Sequence, residues 1–113
     1  MKELYHYRVA YRSNYDGDTV RFDVDLGFGI IMRDQIFRLF GIDTPELRGD
    51  ERAKGLESRD WLQRRLEGAE QIYVRTHKDQ KGKYGRWLAE ILIDGDNVNE
   101  EMVTLGLAEP YLF

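Results

Sequence analysis

TVRFDVDLGFGIIMRDQIFRLFGIDTPE, residues 19–46, is the stretch that decides the fold. Val20, Phe22, Val24 and Leu26 alternate with Arg21, Asp23 and Asp25, the period-two pattern of a strand that lays one face on a core. GFG breaks the run, and IIMRDQIFRLF returns as a second strand, so the two form a long hairpin. The chain then leaves through Asp43, Thr44, Pro45 and Glu46. Taken alone, that exit is a turn. An Asp side chain bonds to the backbone ahead of it, Pro45 fixes its own φ, and Thr44 before it is pushed extended.

Working outward, Tyr5, Tyr7, Val9 and Tyr11 alternate as an earlier strand, and NYDGD supplies the turn into the hairpin. Downstream, Ser58, Trp61, Leu62, Arg65 and Leu66 recur at helical spacing, and Gly68 closes the segment. QIYVRT and RWLAEILI read as further strands, the latter apolar on both parities, as in a strand buried on both faces. Asn97 and Glu100 make a capping pair for a last helix, with Val98, Met102 and Leu105 as its buried stripe and Gly106 as its stop. The order predicts an α+β, mainly β, fold: a five-stranded OB-fold-like barrel with one helix between strands 3 and 4 and a short helix after strand 5. A chain of 113 residues fits a single domain over 1–113.

The composition is 42% apolar and 34% charged, ordinary for a globular chain and unlike a disordered tail. The absence of cysteine excludes disulfides and thiolate metal sites. No run resembles a signal peptide or a membrane span, so a soluble monomer without membrane partners is expected, cytoplasmic as written and secreted if a leader was removed. A net charge of −4 argues against a protein that coats nucleic acid indiscriminately. Residues 75–86 depart from that average: Arg75, Lys78, Lys81, Lys83 and Arg86 face only Asp79, a net of +4 that leaves −8 for the rest. Charge alone makes this strip a solvated loop. Lys54, Arg59, Arg64 and Arg65 likewise read as solvated helix faces, and Trp61 and Trp87 as packing residues.

Parity sharpens the reading of the exit. Asp18 shares the register of Val20 and Phe22 and so points inward, where an unpaired carboxylate is costly. Arg38 sits among Ile36, Phe37, Leu39 and Phe40, and Asp43 ends the same segment. Asp18 and Asp43 on neighbouring strand ends can bind a hard cation through oxygen, or Asp16, Asp18, Asp43 and Arg38 can form a salt-bridged turn network. With only His6 and His77 and no cysteine, a nitrogen- or sulfur-rich site is unavailable, and calcium fits better than zinc.

Beyond these patterns, YDGDTV at 15–20, FRLFGIDTPE at 37–46, KYGRWLAE at 83–90 and VNEEMVTLGLA at 98–108 together resemble the staphylococcal nuclease (thermonuclease) family, in that family's order and over most of the chain. The resemblance implies a calcium-dependent nuclease acting on DNA or RNA, favouring single-stranded regions and leaving 3′-phosphates. It implies that Asp18, Asp43 and the Thr44 carbonyl hold Ca²⁺, with Asp16 as a carboxylate behind them. Glu46 is then the general base, and Arg38 and Arg86 bind the phosphate. Lys83 and Tyr84 resemble positions that hold a terminal phosphate, Lys81 extends the same basic strip, and Tyr111 stands for a late tyrosine beside the base. AEPYLF departs from the family in length and by Pro110, the second hairpin is longer, and the loop after Glu46 is shorter. A catalytically silent module for nucleic acid or protein is the alternative, since one fold hosts many functions. A structural protein using the metal only for stability is the third.

Overall fold

The computed structural model describes residues 4–78 and 87–112. Strands β1 (His6–Asn14), β2 (Thr19–Gly27) and β3 (Ile30–Leu39) form the predicted meander, followed by the short β4 (Ile42–Asp43). A 3₁₀ turn, Gly49–Glu51, leads into helix α1 (Arg52–Glu67). Then come β5 (Ile72–Lys78), β6 (Trp87–Ile93), the short β7 (Asp96–Asn97), helix α2 (Val98–Thr104) and a last short strand, β8 (Glu109–Pro110). The main sheet runs β3-β2-β1-β5-β6-β7. It closes on itself because Phe37, Arg38 and Leu39 of β3 pair in parallel with Trp87, Leu88 and Ala89 of β6. The five long strands are thus a closed, OB-fold-like barrel, with α1 inserted between the third and fourth of them and α2 after the fifth. β4 and β8 form a separate ribbon, Ile42 opposite Pro110 and Asp43 opposite Glu109.

Inward-facing Val9, Val20, Phe22, Val24, Phe37, Leu39, Ile72, Val74, Ile91 and Ile93 fill the barrel, and Leu62 and Leu66 of α1 with Val98 and Met102 of α2 cover it. Asn97 caps α2 as expected, its Oδ1 accepting from the Glu100 amide at 3.2 Å. Gly106, at φ 76°, ends that segment in the left-handed region open to glycine.

Several expectations require correction. Leu26 continues the inward parity of β2 yet is exposed, because the hairpin runs past the end of the barrel. A register shift between Phe22 and Val24 puts one extra residue in β3, where Asp34 adopts φ 54° and donates its amide to Asp23 Oδ1 at 2.8 Å. That bulge changes parity within what reads as one uniform strand. Leu105 is exposed, lying at the end of α2 after the helical stripe has turned away. Trp61 packs against the core, whereas Trp87 is half exposed beside the residues outside the described set. Arg65 is no solvated face: its Nε and Nη2 donate to the two carboxylate oxygens of Glu101 at 2.9 and 3.2 Å, tying α1 to α2. Arg75 leaves the basic strip for an ion pair with Glu90, whose carboxylate also meets His77 Nε2 at 2.9 Å. Among the described residues, no helix is long and apolar enough to cross a membrane.

Candidate active site

The turn between β1 and β2 is built to present one carboxylate. Asn14 Nδ2 donates to the carbonyls of Asp16 and of Arg59 in α1, each at 3.0 Å, which fixes the turn against the helix. Asp16 Oδ1 accepts the Asp18 amide at 3.0 Å, the side-chain-to-backbone bond two residues on that short acidic residues favour. The Leu39 amide donates to the Asp18 carbonyl at 2.9 Å, so the turn is also locked to the end of β3. Asp18 emerges 5% exposed, pointing inward as its parity requires.

The exit from β3 meets it from the other side. Thr44 is buried and donates its amide to Asp18 Oδ2 at 3.2 Å. Two glycines make the close approach possible. A Cβ on Gly17 would lie 2.8 Å from Thr44 Cγ2 and 2.9 Å from Ser58 Cβ. A Cβ on Gly55, in the first turns of α1, would lie 2.4 Å from the Glu46 carbonyl oxygen. The helix therefore lies directly on the backbone that carries Glu46, whose side chain is left exposed.

Arg38 sits at the convergence. Its Nη2 lies 3.2 Å from Asp43 Oδ1 and 3.7 Å from Asp18 Oδ2, and it donates to the Ile42 carbonyl at 3.5 Å. The guanidinium stands 5.4 Å from the centre of the Tyr111 ring, within cation–π range. The Tyr111 amide donates to the Gly41 carbonyl at 2.8 Å, which holds this late residue beside the exit despite the altered AEPYLF segment. Burial pushes the Asp18 carboxyl up to about 7, and the neighbouring Asp16 charge and hydrogen bond add to that effect. Arg38 and the Thr44 amide pull the other way. Burial outweighs the ion pair because Arg38, at 3.7 Å, is shared with Asp43.

The structure thus brings Asp16, Asp18, Arg38, Asp43, Thr44 and Tyr111 together at one barrel mouth, with Glu46 beside them on the loop. Lys81, Lys83, Tyr84 and Arg86 lie outside the described residues. The donors present are all oxygens, the set a hard divalent cation takes. Among the described residues, however, no three histidine or carboxylate side chains are grouped as a metal site. Two carboxylates face one cationic point, which Arg38 reaches.

Residues 36–113 match the family described as Staphylococcal nuclease homologue. The chain belongs to this family. It is also similar to the thermonuclease of Staphylococcus hyicus, 31% identical over 96 residues that cover 82% of this chain and 53% of that protein. The chain therefore spans about half the length of that relative.

Pattern reading missed the residues that hold this candidate site in shape. Gly17 and Gly55 are two. Ser58 Oγ donates to the Leu107 carbonyl at 2.6 Å, pinning the segment after α2 to α1. Asn99, 3% exposed, donates through Nδ2 to the carbonyls of Phe40 and Ala89, each at 2.9 Å, and accepts the Ile91 amide at 3.1 Å. It joins α2, β6 and the exit of β3 at one point. Two signals were present: a glycine inside a helical run, and an amide next to the apolar stripe of a short helix.

Proposed function

We propose that this chain is a calcium-dependent phosphodiesterase that hydrolyses DNA or RNA, acts as a monomer, favours single-stranded regions, and leaves a 3′-phosphate and a 5′-hydroxyl. The carrying observation is the convergence of buried Asp18 and of Asp43 on one cationic point at Arg38, beside Thr44 and Glu46. Family membership supports the nuclease class.

In this reading Asp18, Asp43 and the Thr44 carbonyl hold the ion, and Asp16 keeps Asp18 turned inward. Calcium there supplies positive charge beside the phosphate, opposing the charge that builds on its oxygens. Glu46 takes a proton from water as the water oxygen bonds to phosphorus. The bond from phosphorus to the 5′-oxygen breaks, that oxygen takes a proton from solvent water, and Glu46 returns its proton to solvent. Arg38 and Arg86 grip the equatorial oxygens through planar forks that stay charged at any working pH. Lys81, Lys83 and Tyr84 hold the flanking phosphate, and Tyr111 steadies Arg38 from the side.

The test is incubation of end-labelled single-stranded DNA and RNA with the protein in calcium or in excess chelator, with the product ends mapped. Cleavage in calcium alone, giving 3′-phosphate ends, is expected. Undiminished cleavage in chelator overturns the metal role. No cleavage of either polymer overturns the hydrolase reading.

A further inference from the structure

On the outer face of β2 and β3, Thr19 is the partner of Arg38 and Arg21 is the partner of Ile36. Moving from Arg38 to Ile36 shifts two residues along one face, about 7 Å, a step comparable to one extended nucleotide. At that next step the surface is concave. A groove of about 370 Å³ is lined by Ser13, Asn14, Tyr15, Thr19, Arg21 and Ile36. Two of these are apolar side chains facing solvent, Tyr15 at 74% and Ile36 at 39% exposure. Arg21 supplies a cation, resting on Asp34 with Nη1 3.2 Å from each carboxylate oxygen. Such an exposed ion pair is worth little in water, so a phosphate competes with Asp34 at small cost. An aromatic face, an aliphatic wall and a guanidinium beside a phosphate site form the combination that holds unpaired bases by stacking and their backbone by charge. It also lies where OB-folds take oligonucleotides, on the face of strands 2 and 3 next to the loop between strands 1 and 2.

We propose that the Tyr15–Arg21–Ile36 groove is a binding subsite for the nucleotide next to the scissile phosphate, with the base stacked on Tyr15 and its phosphate held by Arg21. The proposal rests on the hydrolase reading for its register and deepens it: a duplex keeps its bases stacked on one another, so the groove selects single strands. A base has a π-face whatever its identity, and the subsite is tolerant of sequence.

The experiment uses the full chain carrying Glu46→Gln, in calcium, titrated with single-stranded oligonucleotides that bear the fluorescent base 2-aminopurine at successive positions. Cleavage of the same oligonucleotides is followed with Glu46 restored. At one position, the parent and Tyr15→Phe quench the fluorescence. Tyr15→Ala loses that quenching and binds about tenfold more weakly, the span expected for one lost stacking partner. Arg21→Gln makes the dependence of log affinity on log salt shallower by roughly 0.7, one phosphate contact on a single strand. If Tyr15→Ala binds as tightly, with the same quenching, the groove is not the path of the strand. Cleavage that ignores Tyr15 and Arg21 sinks this proposal alone. Quenching at Tyr15 without cleavage sinks the hydrolase reading and leaves the subsite standing. Neither binding nor cleavage sinks both.

Discussion

The two halves of the β2–β3 hairpin carry the same kind of sequence and meet different fates. Near the site, Val20, Phe22, Phe37 and Leu39 are 0–4% exposed. Past the Asp34 bulge, Leu26, Ile30, Ile31 and Met32 are 40–55% exposed, and Phe28 at the tip is fully so. Alternation therefore specifies a strand and its faces, but burial is set by what lies across. The near half has β6 closing the barrel beside it through residues 37–39, and α1 and α2 covering the core. In the far half β2 still pairs with β1 through Val24 and Asp25, and Val24 stays buried, but β3 there has only β2 beside it, and beyond Asp25 the hairpin has only itself. The candidate site groups stand on the near half and have a rigid support there, since a carboxylate as buried as Asp18 keeps its direction only where the surrounding backbone is fixed.

The contrast can be broken most sharply through activity. Glu46→Gln, beside the near half, is expected to lower turnover by roughly 10² to 10⁴ while leaving calcium affinity nearly intact, as for a positioned base. Met32→Ser on the far half should alter the rate less than about twofold, since no transition-state contact is removed. Single-turnover rates at saturating calcium, with calcium titrations alongside, decide this. A Glu46→Gln protein as fast as its parent requires a different base.

Stability offers the next largest separation. Phe22→Ala should cost about 3–5 kcal/mol, the usual range for deleting a fully buried aromatic. Phe28→Ala should stay within about 0.5 kcal/mol, because that ring touches mainly water. Denaturant unfolding of both variants measures the difference. Comparable losses at the two positions would show that something covers the tip in solution.

The smallest expected effect sharpens the picture of the near half itself. The Asp18 carboxyl is raised from 3.8 when unfolded to about 7 when folded. A raised carboxyl binds its proton more tightly in the folded state, so in chelator its contribution to stability falls as pH rises from about 4 and levels off above about 7. Asp18→Asn removes that loss. The variant should match its parent near pH 4 and exceed it at pH 8 by roughly 2–3 kcal/mol, somewhat below the full value of a three-unit shift. Thermal unfolding across that range, without calcium, is the measurement. A parent as stable as Asp18→Asn at pH 8 would mean that Arg38 neutralises the carboxylate after all.

What could be read from the chain alone follows the same division. Strand positions, the helix ended by Gly68, the Asn97 cap and the inward direction of Asp18 are local, set by period and by neighbours a few residues away. The extra residue at Asp34 is local too, but an aspartate at positive φ looks like any other polar position in an alternating strand. The exposure of Leu26 and Leu105 depends on where the barrel and α2 stop. The withdrawal of Arg75 to Glu90 depends on the pairing of β5 with β6, in which these two residues are direct partners. Gly17 and Gly55 matter because other backbone crosses them, and Tyr111 meets Arg38 because β8 folds back on β4. Such facts belong to pairs of distant segments, and a one-dimensional pattern carries no trace of which pairs form.

The bond from Asn99 to the Phe40 carbonyl joins residues 59 positions apart, and it clamps the point where the chain turns toward Asp43. Synthesis reads the chain from its beginning, so Asp18, Arg38, Asp43 and Glu46 all leave the ribosome well before Asn99 does. Until α2 is made, the Phe40 carbonyl has no Asn99 amide to hold it, and the turn toward Asp43 rests on its own strands. A growing chain thus carries every acidic residue of the mouth before it carries the amide that clamps their exit strand.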